Sequence, residues 1–71
     1  MDELETLRNQ LVAAGYWPNI AARPEGWECT LWNRHNVGTL KSQHQPIGRG
    51  ATAVEAVRMA IAARDARKAA A

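Results

Sequence analysis

The chain has 71 residues, nine of them basic and seven acidic, for a net charge of +2, and 46% of it is hydrophobic. That is one domain, near the lower limit for independent folding, with a core expected to contribute only about 3–5 kcal/mol net. One cysteine, Cys29, excludes an intrachain disulfide. Cys29 with His35 and His44 gives no zinc-ligand spacing, so neither a metal nor a cofactor is expected, and pairing of two copies into a homodimer stays open as a source of stability. No apolar run approaches the ~20 residues of a membrane-spanning helix. The acidic start, Asp2-Glu3-Leu4-Glu5, is the reverse of a secretory signal. A cytoplasmic protein with no membrane partner is the expectation.

Asp2 to Ala14 reads as a helix. Asp2 caps it and Glu5 completes a capping-box pattern. Leu4, Leu7, Leu11 and Ala14 share a face at helical spacing, and Gly15 is the expected stop. Tyr16 to Trp32 reads as strand, turn, strand. Pro18 makes the first strand an edge strand or places it at a strand start, and Pro24-Glu25-Gly26 is a turn signal. From Trp27 to Trp32 the residues alternate: Trp27, Cys29 and Leu31 point one way, Glu28, Thr30 and Trp32 the other. After the polar loop Asn33 to Gly38, a third and weaker strand is expected over Thr39 to Gln45. Pro46 ends it, and Gly48-Arg49-Gly50 reads as a flexible connector. Thr52 to about Ala69 is the second helix, capped by Thr52 with Glu55 in the capping-box position. Its core face holds Ala53, Val57, Ala60, Ile61 and the stem of Arg64, with Val54 and Ala56 at the borders.

The expected fold is therefore α+β, in the order α-β-β-β-α, with a three-stranded antiparallel sheet and both helices packed on one face. Leu4, Leu7, Leu11, Trp27, Leu31, Val57 and Ile61 form its expected core. Basic residues crowd the end of the second helix (Arg58, Arg64, Arg67, Lys68), and acids crowd the start of the first, as helix dipoles favour.

No enzyme active site can be assembled from these residues. Cys29 with His35 or His44 as base has the right chemistry for a nucleophile, yet Cys29 is in phase with the core. Glu25 and Glu28 have no cleft to share. Gly48-Arg49-Gly50 follows only the weak strand expected over Thr39 to Gln45 and does not have the longer glycine pattern of a phosphate loop. Binding is better supported. Trp32 alternates onto the face opposite the helices, where an exposed tryptophan marks a contact site. Thr30 and Glu28 are its neighbours there, with Lys41 and Gln43 from the third strand. Trp17 either joins this patch or caps the end of the core. The alternative is nucleic-acid binding through Arg34, His35, Arg49 and Arg58, although a net charge of +2 is mild for that role.

The run Gly48-Arg49-Gly50-Ala51-Thr52-Ala53-Val54-Glu55-Ala56-Val57 resembles the entry to the last helix of double-stranded-RNA-binding domains, which share the α-β-β-β-α order. In that family, lysines at the helix start grip phosphates. Here the matching stretch is Ala53-Val54-Glu55-Ala56, so the resemblance implies the fold without that grip, with Arg49 and Arg58 as partial substitutes. The stretch Gly50 to Ala56 is also similar to the helix entry of HicB-type antitoxins, which implies a regulatory partner. The aromatic-x-Cys-x-Leu strand from Trp27 to Leu31, the Gly-x-Gly connector and the Thr-x-x-Glu-Ala helix together look like small accessory proteins of bacteriophages. That resemblance implies a non-enzymatic inhibitor of a host or bacterial-defence protein, and it is the preferred expectation.

Overall fold

The structure is a computed structural model and describes residues 2–33 and 45–70. The Asp2 carboxylate accepts from the Glu5 amide at 2.8 Å and so starts helix α1, Glu3–Ala13. An acidic side chain here satisfies an amide with no intrahelical partner and meets the positive end of the helix dipole. Gly15, at φ +92°, turns the chain out of α1 into strand β1, Tyr16–Arg23. Pro24 and Glu25 form the turn to β2, Gly26–Asn33. The register pairs Arg23 with Gly26 and runs back to Tyr16 opposite Asn33. Pro18 falls within β1, an edge strand in the order β1-β2-β3, where its missing N–H is tolerated.

The third strand differs from the expectation. β3 spans Ile47–Gly50, which takes in the Gly48-Arg49-Gly50 run read above as a flexible connector, and it pairs antiparallel with β2 from Thr30↔Ile47 to Trp27↔Gly50. The strand expected over 39–45 lies outside the described residues, apart from Gln45, which precedes β3 without belonging to it. The glycines of β3 serve close approach. A methyl group on Gly48 would run into the backbone of the second helix at Ala56, Met59 and Ala60, and one on Gly50 would stand 2.5 Å from the Glu55 Cβ.

That helix, α2, spans Ala53–Ala70. The Thr52 hydroxyl accepts from the Glu55 amide at 3.1 Å. Glu55 reaches back to the Ala51 amide at 2.9 Å, one residue earlier than the usual capping box. Ala56, expected at the border of the core face, is fully buried, because the glycine strand draws this side of α2 down onto the sheet.

Both helices cover the same face. Leu11 from α1, Cys29 and Leu31 from β2, and Ala56, Val57 and Ala60 from α2 form the buried core, with Leu4, Leu7, Tyr16, Ile20 and Ile61 packed around it. Trp27 is a correction. It has the expected phase but is 37% exposed and lies outside this cluster, since it sits at the hairpin end of β2 beyond the tightest helix cover. Among the described residues no helix is long and apolar enough to cross a membrane.

Candidate functional site

Alternation along each strand sends Trp17, Asn19, Ala21 and Arg23 of β1, Glu28, Thr30 and Trp32 of β2, and Ile47 and Arg49 of β3 to the face opposite the helices. The register then groups them. Trp17 stands directly across from Trp32, Asn19 from Thr30, and Ala21 from Glu28. On the other side, Thr30 faces Ile47 and Glu28 faces Arg49. Directly opposed side chains are close enough to interact, and diagonal ones remain within reach of long or aromatic groups.

The face thus has two halves. Trp17, 66% exposed, and the partly buried Trp32 make an apolar end, and Ile47, 46% exposed, is diagonal to Trp32 in the next row. At the hairpin end, Glu28 Oε1 accepts from Arg23 at 3.2 Å and Glu28 Oε2 accepts from Arg49 at 3.0 Å. The Arg49 and Arg23 guanidiniums hold the Glu28 carboxyl below its ordinary range. The carboxylate lies low, with a side-chain exposure of 18%, while Arg23 and Arg49 rise over it at 50% and 69%. Thr30 and Asn19 separate the two halves.

Trp32, Thr30 and Glu28 therefore lie together on the open face, as their phase requires. Lys41 and Gln43, expected beside them, lie outside the described residues, and Ile47 and Arg49 supply the third strand of the face. Trp17, which the sequence leaves open between core and surface, belongs to the face. A signal for this is present in the sequence: a turn confined to Pro24 and Glu25 pairs Arg23 with Gly26 and, counting back, Trp17 with Trp32.

Of the residues considered for nucleic acid, the two described ones, Arg49 and Arg58, are not brought together. Arg34 and His35 lie outside the described residues. Arg49 is on the open face in the Glu28 triad, whereas Arg58 is on α2 and pairs with Glu3 of α1 on the helical side. Arg64 is likewise engaged, its Nε donating to Asp65 Oδ1 at 3.0 Å and its guanidinium lying 5.1 Å from the Tyr16 ring centroid. Cys29 is fully buried, and burial pushes its thiol up to about 11, so it is a neutral core group near pH 7. His44, weighed as its base, lies outside the described residues.

A shallow groove of about 510 Å³ lies on the helical side, between the starts of α1 and α2 and over Pro18, Ile20 and Trp27. A smaller depression of about 230 Å³ wraps the hairpin end between Arg23, Trp27 and Arg49. No family model, curated protein or solved structure matches the chain. The resemblances drawn from its residues therefore rest on those residues alone.

Proposed function

We propose that this chain is a small non-enzymatic binding protein that docks the open face of its sheet onto another protein and so blocks it. The inhibitory role follows the bacteriophage accessory proteins whose sequence style it shares, with a host or defence protein as the target. The observation that carries the docking reading is the pairing of Trp17 with Trp32 on the side that neither described helix covers, with Ile47 diagonal to Trp32. Covering apolar surface contributes about 25 cal/mol per Å². Tryptophan is enriched among the few residues that dominate interface energies. A charged group at one end and an apolar group at the other give such a face orientation as well as affinity.

The test is capture from nuclease-treated bacterial lysate by the tagged chain and by its Trp17→Ala/Trp32→Ala variant, with circular dichroism confirming that the variant is folded. A protein held by the former, released by the variant and inhibited on adding the chain supports the proposal. Equal capture by both, or capture that disappears with nuclease, refutes it. Sedimentation of both forms shows whether the same face instead pairs two copies of the chain.

A further inference from the structure

We infer that the surface this face docks onto is acidic as well as apolar: a protein presenting a carboxylate to Arg23 and Arg49, at a distance of about 13 Å from an apolar side chain placed on Trp17 and Trp32. The spacing is that of Glu28 and Trp32 along β2, at about 3.3 Å per residue. This rests on the docking reading and adds the chemistry of the partner.

The argument lies in how the triad is layered. Glu28 is the low member and the two guanidiniums are the outward ones, by 18% against 50% and 69% side-chain exposure. An approaching surface therefore meets the cations before the anion. Each guanidinium carries five N–H donors in a planar fork. Arg23 commits Nη2 and Arg49 commits Nε to Glu28, which leaves donors on both for an incoming oxygen. The shared carboxylate also fixes both side chains in advance, so less rotamer entropy is lost when they bind a third group. Across the three strands, the sheet surface carries these two bases against one acid. Glu25 belongs to the turn beyond Arg23 and makes no ion pair among the described residues.

One excess positive charge suits one carboxylate. A nucleic-acid strand would need a succession of cations along its phosphates, and among the described residues this face carries two, with Glu28 between them. Ile47, exposed and diagonal to Trp32, also favours an aliphatic contact over a run of stacked bases.

The experiment is an NMR titration of the full chain, following the indole N–H signals of Trp17 and Trp32 and the side-chain Nε–H signals of Arg23 and Arg49. Three probes are used: the capped heptapeptide Leu-Leu-Gly-Ser-Gly-Glu-Glu, its counterpart with lysine in place of both glutamates, and a single-stranded oligothymidylate. The acidic peptide is expected to shift both sets of signals and to bind about tenfold more tightly than the basic one. Arg23→Gln/Arg49→Gln should erase that preference, whereas Arg67→Gln/Lys68→Gln, the same change in net charge near the end of α2, should retain it. Equal binding of the two peptides at the tryptophans overturns the acidic partner while leaving the docking face standing. Tighter binding of the oligothymidylate at the same signals overturns it in favour of single-stranded nucleic acid. No tryptophan shift with any probe overturns the docking reading as well. The wild-type comparison of the two peptides decides the matter even where a variant folds poorly.

Discussion

Replacing Gly48 with alanine distinguishes, by the sign of the effect, a flexible connector from a strand pressed onto a helix. In a flexible segment, the substitution removes conformational freedom from the unfolded chain and stabilises by about 0.4–1 kcal/mol. In β3, the new Cβ would stand 2.6 Å from the Met59 carbonyl carbon and closer still to the Ala56 oxygen and Ala60 nitrogen. All three are helix backbone, which cannot rotate aside as a side chain can. Restoring ordinary contact at about 3.5 Å with the nearest of them requires α2 to lift by more than about 1 Å, and a gap of even about 0.5–1 Å forfeits a quarter to a half of the dispersion energy of the atoms it separates. Ala56, Val57 and Ala60, each fully buried, lie on the lifted face. The expected cost is at the upper end of overpacking, about 3 kcal/mol. For a domain of this size that lowers the Tm by roughly 12–24 °C. Thermal unfolding followed by circular dichroism measures it, with Gly15→Ala as the contrast. Gly15 has φ +92°, and a methyl group added there would meet nothing within 4 Å, so its substitution should cost only the left-handed backbone penalty, about 1–2 kcal/mol. A Tm for Gly48→Ala that is unchanged or raised would refute the packing of β3 on α2.

Leu31→Ala should destabilise by about 2–5 kcal/mol in urea unfolding because Leu31 is fully buried, whereas Trp17→Ala on the open face should change stability by no more than about 0.5 kcal/mol. In an NMR titration of carboxyl carbons, Glu28 should have its midpoint below the ordinary carboxylate value, and Arg49→Ala and Arg23→Ala should each raise it, since both guanidiniums donate to the carboxylate. Because that pKa is depressed in the folded state, the Glu28 contribution is present above the unfolded value and is lost as pH falls through the folded one, and Glu28→Gln should remove this part of the acid dependence. The Cys29 thiol is raised from 9.0 to about 11, so its contribution is full below pH 9 and declines as pH rises toward 11. Its reaction with an aromatic disulfide reagent should be slow in the native protein and should track unfolding in denaturant.

Much of the fold is legible in the sequence because short-range rules govern it. Asp2, Gly15, Thr52 and Glu55 set the helix ends through hydrogen bonds and a backbone angle that sequence spacing specifies. The alternation of Cys29 and Leu31 against Glu28, Thr30 and Trp32 determines which side of β2 is covered. The third strand escapes a sequence reading for an equally physical reason. Gly48-Arg49-Gly50 has neither branched nor aromatic side chains, and such a run has no local preference for a strand. It becomes one because the absence of side chains lets α2 approach, and that is a tertiary effect. The same cause moves Ala56 from the border of the core to its centre. At the site, the phase of Trp32 is readable from one strand alone. Its pairing with Trp17, and the triad of Arg23, Glu28 and Arg49, need the register between strands.

The placement of the large side chains bears on why the open face exists. The largest fully buried side chains are Leu11, Leu31, Val57 and Cys29, and the rest of the core is alanine. The chain has three tryptophans. Trp17 and Trp32 are on the open side, and Trp27 sits at the edge of the helix cover. A tryptophan can bury about 150–250 Å², which at about 25 cal/mol per Å² amounts to roughly 4–6 kcal/mol. That is as large as the net stability expected of a domain this small. A sequence shaped for folding alone would gain most by turning such a side chain inward. Here the covered side of the sheet is instead made of glycine and alanine where β3 meets α2, a layer too thin to admit an indole. The aromatic area is left on the outer face, in register across two strands and on the same side as two guanidiniums held by Glu28, where it adds little to folding.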